Sequence, residues 1–391
     1  MVRNILVFGA DGYLGWPLTM ALARSWPDSS IIAADNFARR AWVGSSGASS
    51  LTDVKTLRER VNIFSETFGC GNVSVIEQDV TSPKGVRSLF EQHRPELIYH
   101  LAHQPSAPFS LADPESANKT VQVNEQGCLN ILWGLKDTCP DSHLILMGTF
   151  GGYARAGLPV PEGYFTPSCE GLTATKPVPF PRESDDIYHV SKINASNFAA
   201  MASRIWSLTV TDVQQSTVFG SLTDETIAAP GLATRFDYDP VFGTVLNRFT
   251  AQAISGQPLT IYGDGAQVSG ISVLPDVIKA LISMGQHPPE GGSLRVVNNI
   301  ASQLTVNQLA SLVAEAGAAH GLEVRTERGV ANPRNERQTH FAGTARTGFL
   351  GQWLTPTPIL QAITQTMEYL LPLRGRILTK FIRFPEAILG P

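Results

Sequence analysis

Cysteine is scarce and unpatterned. The 391 residues hold four, Cys70, Cys128, Cys139 and Cys169, and no two stand in a C-x-x-C pair. Neither a zinc site nor a disulfide framework is indicated, and no metal is expected. An excess of charge of one sign is also missing. Thirty Lys and Arg against 34 Asp and Glu leave a net charge of −4, which gives no basic footprint for nucleic acid. No apolar run reaches the roughly 18 residues that a spanning helix needs, so no membrane is expected. No charged-then-apolar leader precedes "NILVFGA", and a reducing cytoplasm is the expected location. No internal repeat or low-complexity tract stands out. What is left is an ordinary composition, 43% hydrophobic, long enough for one large or two modest domains.

The opening stretch "RNILVFGADGYLGWPLTMALA" carries the first positive signal. Ile5 to Phe8 form a short apolar run of strand type, and a helical pattern begins at Leu18. Between them stand Gly9, Gly12 and Gly15. In that context Gly9 permits a tight turn, Gly12 lets backbone approach a pyrophosphate, and Gly15 lets helix and strand pack closely. The helix N-terminus offers free N–H groups to the phosphates. Twenty residues on, "SIIAADNFARR" reads as a second strand ending in Asp35. A carboxylate there accepts hydrogen bonds from adenosine ribose and repels a 2′-phosphate, so NAD is expected over NADP. Arg39 and Arg40 pull the other way, because a nearby arginine accommodates that phosphate.

The alternation continues. "VSVIEQDVTS" is a strand ending at Asp79 and Val80, which places them at the adenine edge. "ELIYHLAHQPSAP" is a strand running into a loop, and "HLILMGTFGGYA" is a strand ending at Thr149. Helical segments lie between. Such alternation predicts an α/β fold, a Rossmann-type doubly wound parallel sheet whose ligands lie beyond the carboxyl ends of its strands. His103, Thr149 and the stretch that follows it belong to that edge. Next comes "DDIYHVSKINASNFAAMASRIW", helical by periodicity, with Tyr188 and Lys192 one turn apart. Oxidising an alcohol requires its proton to leave as hydride departs. A tyrosine takes that proton only if its pKa falls well below about 10, and a nearby ammonium favours the phenolate. Thr149, Tyr188 and Lys192 are therefore the expected catalytic residues.

These features resemble the extended short-chain dehydrogenase/reductase family, and within it the UDP-sulfoquinovose synthases and related nucleotide-sugar epimerases and dehydratases. The likeness rests on "GYLGW", "DNFARR", "HQPSAPFS", "GTFGGY", "YHVSK", "TDE", "DYDPVFGTVLNRF", "LTIYGDG", "TVNQLASLV" and "NPRNE", in order along most of the chain. It implies tightly held NAD, transient oxidation at C4 of a nucleotide-linked sugar (most simply a UDP-sugar), and a homodimer. It implies an NAD-binding domain over 1–215, a smaller interleaved C-terminal nucleotide-sugar domain over 216–372, and leaves a basic amphipathic tail over 373–391. Cofactor contacts are implied at Tyr13, Asn36, Leu101, Ala102, His103 and Asn124 beside those already named, with Tyr188 and Lys192. Substrate contacts are implied at Gln104, Ser106, Thr149, His189, Arg235, Asn247, Arg248, Tyr262, Gln267 and Arg334.

The departures fall near the chemistry. Where the synthases carry arginines suited to an anion, this chain has Pro105, Ser269 and Pro275; where they carry a glutamate, it has Gly152. Proline offers an anion no guanidinium fork. The dehydratases' Asp-Glu pair after the catalytic threonine is also absent, Phe150 and Gly151 standing there. Sulfite addition is thus one alternative beside 4-epimerisation and dehydration-type chemistry. A catalytically quiet NAD-fold binding protein and a simple alcohol dehydrogenase with exchangeable NADP are others. Residues 155–186 form a long proline-rich insertion, expected to lid the site. The tail, with Arg374, Arg376, Lys380 and Arg383, reads as a helix packed on its own protein with a solvated basic face, with a membrane-surface helix as the alternative.

Overall fold

The computed structural model describes residues 3–153, 159–329, 348–352 and 354–382. Seven strands make one parallel sheet: β1 (Asn4–Phe8), β2 (Ser30–Asp35), β3 (Val73–Glu77), β4 (Leu97–His100), β5 (His143–Met147), β6 (Thr209–Gln215) and β7 (Leu294–Asn299). They lie in the order β7-β6-β5-β4-β1-β2-β3. The direction of winding therefore reverses between β1 and β4, and a crevice opens there beyond the strand ends. Phe8 of β1 is level with Ala34 of β2 and His100 of β4, so the turns that follow all three share one rim.

The middle positions of β1 and β2 are apolar on both faces because both are covered, whereas β6 carries Thr, Asp and Gln among its buried positions. Ile5, Val7, Ile31 and Ala33 enter one core with Leu18, Leu22, Val277 and Leu281. Leu6, Phe8, Ile32 and Ala34 enter the opposite core with Phe90, Ile131 and Ala199. The period of two divides each strand between the two layers, and each such fully buried side chain contributes roughly 1.5–3 kcal/mol.

A third core is built from Phe219, Phe236, Phe249, Leu259, Ile271, Leu309, Ile363 and Leu370. It is framed by the helices Val245–Ile254, Val306–Ala319 and Ile359–Leu370 and a small sheet of Thr217–Phe219, Val268–Val273 and Ser302–Thr305. The chain does not stay there. The helix Leu274–Gln286 and strand β7 return to the large sheet.

The insertion has local structure of its own, and the tail forms short 3-10 turns in place of the expected amphipathic helix. In the insertion, Tyr164–Phe165 pairs with Val178–Pro179 and Ser168–Cys169 with Leu172–Thr173. Val160 and Phe180 close a small apolar cluster with Phe150, Tyr153 and Ile300. The insertion is thereby fastened to the segment that carries Thr149. The tail, as far as Ile382, forms short 3-10 turns whose Ile377 and Ile382 enter the third core. The Leu378 N–H donates to the Tyr238 hydroxyl at 2.9 Å. Arg383 lies outside the described residues, as do Arg334 and His340.

Candidate active site

A cavity of about 500 Å³ runs along the strand rim, from Gly9 and Asp35 at one end to Thr149, Tyr188 and Ser269 at the other. The glycine turn shapes the first end. Gly9 has a φ of +82°, and a Cβ there would meet the backbone of Leu101 and Ala102 at 2.7 Å. A Cβ on Gly15 would fall 1.9 Å from the Gly9 carbonyl oxygen. Side chains at these positions would fill the cradle and part the helix from the strand. The helix Gly15–Ser25 starts with no side-chain cap at Leu14, so its N-terminus is open to an anion.

Asp35 ends β2 and lines the cavity, accepting hydrogen bonds from the backbone N–H groups of Asp11 (2.9 Å) and Phe37 (2.6 Å). Burial, then the neighbouring Asp11 charge, pushes its carboxyl up to about 6. The two arginines nearby are already committed. Arg40 forks onto Asp11 at 2.7 and 2.8 Å, with Arg60 on the same carboxylate at 2.6 Å, and Arg40 does not line the cavity. Arg39 lines it but donates to Asp237 at 2.8 Å and lies over the Phe242 ring at 3.9 Å. Arg235 reaches the same Asp237 at 3.2 Å. Both guanidiniums are thus held on carboxylates beside Asp35, Arg39 keeping one nitrogen, Nη1, without a hydrogen-bond partner among the described residues. The open helix end, the glycine cradle and the buried carboxylate together fit NAD. In that place Asp35 and Asn36 would hold the adenosine end, and Thr149, Tyr188 and Lys192 would face the nicotinamide end.

The remaining expected cofactor positions divide. Tyr13, Val80, Leu101, Ala102 and His103 line the cavity. The Tyr13 hydroxyl donates to the Gly220 carbonyl, fastening the glycine turn to the end of the strand Thr217–Phe219. Asp79 instead closes its own turn, accepting from Asn36 at 3.0 Å and from Thr81 at 2.8 Å. Asn124 is fully buried and braces others. Its amide N–H groups donate to the Gln104 carbonyl (3.1 Å) and to Ser191 Oγ (2.9 Å), and its Oδ1 accepts from the Gln104 N–H. It sits in a π-helical turn, Gln122–Gln126, a local widening of the kind often found at functional sites.

The helix Ile187–Trp206 carries Tyr188 and Lys192. Asp186 caps it, accepting from the His189 N–H at 2.9 Å, and its other oxygen holds His189 Nδ1 at 2.7 Å. The Tyr188 N–H donates to Ser110 Oγ at 3.1 Å. The phenol is hydrogen-bonded to the Thr149 side chain, which draws its pKa down, while burial first and Asp186 second push it up to about 12. Lys192 is buried and donates to the Met147 carbonyl, and burial pulls its ammonium down to about 7. The three expected catalytic residues therefore meet at one end of the cavity. His189 lines it too, its ring 4.7 Å from that of Tyr188 and pressed against Gly151, where a Cβ would stand 2.2 Å from Nε2.

Among the expected substrate residues, Arg235 and Asn247 line the cavity; Asn247 donates to the Asp237 carbonyl at 2.9 Å. Gln104, Ser106, Arg248, Tyr262 and Gln267 do not line it. Gln104 and Ser106 bond each other, and Ser106 Oγ also donates to the Val241 carbonyl. Arg248 stacks over Tyr262 at 5.6 Å, and Gln267 donates to the Tyr262 carbonyl at 3.3 Å. Pro105 and Ser269 do line the cavity; Pro275 opens the helix Leu274–Gln286 away from it. Three participants escaped the sequence reading. Asp237 is one; Asp186 is another, although an Asp three residues ahead of His189 is an N-cap pattern. Ser110 has no such signal.

The NAD dependent epimerase/dehydratase family matches residues 5–300. The chain belongs to that family. It is 32% identical over 381 residues to the chloroplastic UDP-sulfoquinovose synthase of Spinacia oleracea, covering 97% of this chain and 78% of that one. It is 33% identical to the UDP-sulfoquinovose synthase of Sulfolobus acidocaldarius, covering 99% and 96%. Its fold is that of UDP-glucose 4-epimerase from Thermotoga maritima, solved with UDP-glucose, at a TM-score of 0.66 and 21% identity over 94% of this chain and 98% of that one. It is likewise that of UDP-glucuronic acid 4-epimerase from Bacillus cereus, solved with UDP-glucuronic acid and NAD, at a TM-score of 0.66 and 17% identity over 95% and 99%. The protein is an NAD-dependent enzyme of the nucleotide-sugar epimerase/dehydratase type. Among the described residues no helix is long and apolar enough to cross a membrane, and no group of His, Cys, Asp and Glu is arranged to hold a metal.

Proposed function

We propose that the enzyme oxidises a UDP-sugar at C4, through Tyr188 as proton acceptor, and completes an epimerisation or an elimination without efficient addition of sulfite. The observation that carries this is the convergence of Thr149, Tyr188 and Lys192 on one end of a cavity whose other end is the glycine turn and Asp35. NAD supplies the hydride acceptor. Tyr188 as phenolate takes the C4 hydroxyl proton while the C4 hydride leaves, and Thr149 shares that oxygen. Lys192, one turn on, is the cation that offsets the burial of the phenolate. The resulting ketone acidifies the proton at C5. His189, oriented by Asp186, is a second base on the same side of the cavity.

Pro105 and Ser269 face the cavity where the synthases carry arginines. Losing one charge-assisted contact to an anion commonly costs about 1.5–3 kcal/mol, or roughly 10–100-fold. The reading divides the chain into a cofactor domain over 1–215 and an interleaved substrate domain over 216–372, with Arg334 as a diphosphate contact. It also includes a homodimer and a cytoplasmic location. Exposed Val121, Trp133, Val190 and Ile205 lie on the helices Pro114–Val121, Gly127–Thr138 and Ile187–Trp206, a suitable pairing face. The test is incubation with UDP-glucose and related nucleotide sugars, with and without sulfite, with products identified by mass. An epimer or a dehydrated sugar formed without sulfite supports the proposal. Efficient sulfite-dependent formation of a sulfonated sugar overturns it.

A further inference from the structure

Asp212 is a buried carboxylate to which the reaction as described gives no task. It lies in β6, level with Leu146 of β5, and is 1% exposed. An anion in such a place is costly unless something compensates it. Its Oδ2 faces the guanidinium of Arg182 at 4.0 Å, and Arg182 also donates to Gln214 of the same strand at 3.5 Å. Its Oδ1 shares its surroundings with the Gln214 amide nitrogen, and the Ser196 and Gln214 side chains, like Arg182, draw the carboxyl's pKa down. That oxygen occupies the space Gly148 leaves, for a Cβ there would lie 2.7 Å from it. Gly148 has an ordinary φ, so what glycine provides at this position is room. On one side of Gly148 is Met147, whose carbonyl accepts from Lys192; on the other is Thr149. The carboxylate thus lies directly behind the segment that joins two catalytic residues.

Other titratable groups surround Lys192. His100 and His103 stack at 4.3 Å on the β4 side and are held neutral, first by burial and then by the Lys192 charge. Cys128 comes from the helix Gly127–Thr138, with its thiol pushed up to about 12 by burial and Glu125 acting on that thiol. Tyr188 shares the lysine's own helix, and the Asp186 charge acts on it. Burial draws Lys192 down, while Cys128 and Asp212 act the other way. Burial in turn pushes the Asp212 carboxyl up, and Arg182 draws it back. Of the groups acting on Lys192, only Asp212 is a carboxylate.

We propose that Asp212 is a positioning residue of the active site: lodged in the gap at Gly148 and held charged by Arg182 of the insertion, it is the counter-charge that keeps Lys192 an ammonium. This rests on the catalytic reading of Lys192, but its first test does not depend on turnover. The holoprotein is labelled with [ε-13C]lysine, the Lys192 resonance is assigned by its absence from Lys192→Met, and its titration is followed. Asp212→Asn should lower the Lys192 midpoint by up to about one pH unit, the scale of a lost opposite charge that is near but not in a direct ion pair. Arg182→Met should move it the same way by less, because the unpaired carboxyl then takes up a proton. The alkaline limb of NAD reduction by the sugar nucleotide should follow the same order. Bound NAD and thermal midpoint report whether each variant is folded. If Asp212→Asn does not fold, Arg182→Met decides. An unmoved Lys192 midpoint in a folded variant overturns the proposal. A moved midpoint without NAD reduction by any sugar nucleotide in the parent upholds it and overturns the proposed function instead.

Discussion

Tyr188 and Lys192 oppose each other's environment. Burial raises the phenol to about 12 and lowers the ammonium to about 7, so it pushes each away from the charge the proposed mechanism asks of it. Tyr188→Phe removes the proton acceptor and leaves the helix, its cap and Lys192 in place. Turnover should fall about 10²–10⁴-fold, while NAD still copurifies in stoichiometric amount; a parental rate in that variant would remove Tyr188 from the mechanism. Asp35 gives a pH dependence whose sign can be worked out. Its carboxyl is raised to about 6 in the folded protein from the ordinary aspartate value of 3.8. The folded state therefore holds a proton that the unfolded chain has released between these values. Its contribution to stability is complete below the lower value and is lost as pH rises through about 6. Ribose hydroxyls need the ionised form as acceptor, so NAD affinity should run the other way and weaken below about pH 6. Calorimetric titration across pH 5 to 8 on the parent and on Asp35→Ala checks this. The variant should lose the dependence and narrow the preference for NAD over NADP.

At the scale of elements, the glycine turn and the helix Gly15–Ser25 are one unit. Gly15→Ala sets a methyl 1.9 Å from the Gly9 carbonyl, and both neighbours are backbone, so the helix has to move off β1. A loss of about 1–3 kcal/mol, typical of overpacking, should appear as a lower thermal midpoint, together with loss of copurified NAD. A variant that keeps both would show that the close approach is not needed. The insertion illustrates what a local reading misses. Proline-rich composition and length mark residues 155–186 as a functional loop. The seating of Val160 and Phe180 on Phe150, Tyr153 and Ile300 depends on side chains that are up to 140 residues away in sequence.

For the whole molecule, two neighbouring helices, Gly127–Thr138 and Ile187–Trp206, leave Trp133, Val190 and Ile205 outside. Trp133 stacks on Trp206 at 4.6 Å, with the Lys136 ammonium 4.3 Å from the Trp133 ring, while about half of Trp133 and about two-thirds of Ile205 face solvent. If this face pairs two copies, sedimentation at micromolar concentration should give a dimer for the parent. Trp133→Glu combined with Ile205→Glu should give a folded monomer, since a charge in a packed two-fold interface meets its own copy. A parental monomer would leave the face without this role.

Much of this molecule was legible locally. The alternation of apolar strands and amphipathic helices predicted a parallel doubly wound sheet, because strands covered on both faces are mostly apolar on both. Gly9, Gly12, Gly15 and Asp35 declared a dinucleotide site, since turn, close approach and carboxylate occur at fixed distances along one strand-turn-helix-strand unit. Tyr188 and Lys192 lie one turn apart on a helix, as their spacing predicted. What the linear order could not supply were pairings between distant segments. Whether Arg39 and Arg40 face a phosphate depends on Asp237 and Asp11, which take up their charge. Whether Asn124 and Gln104 touch ligand or brace the catalytic helix depends on Ser191 and on each other. That Gly148 is a space for Asp212 depends on two strands lying in register. Spacing along a chain reports on one element at a time, while ion pairs, hydrogen bonds and excluded volume are set by distances in space, and these exist only once the sheet has been assembled.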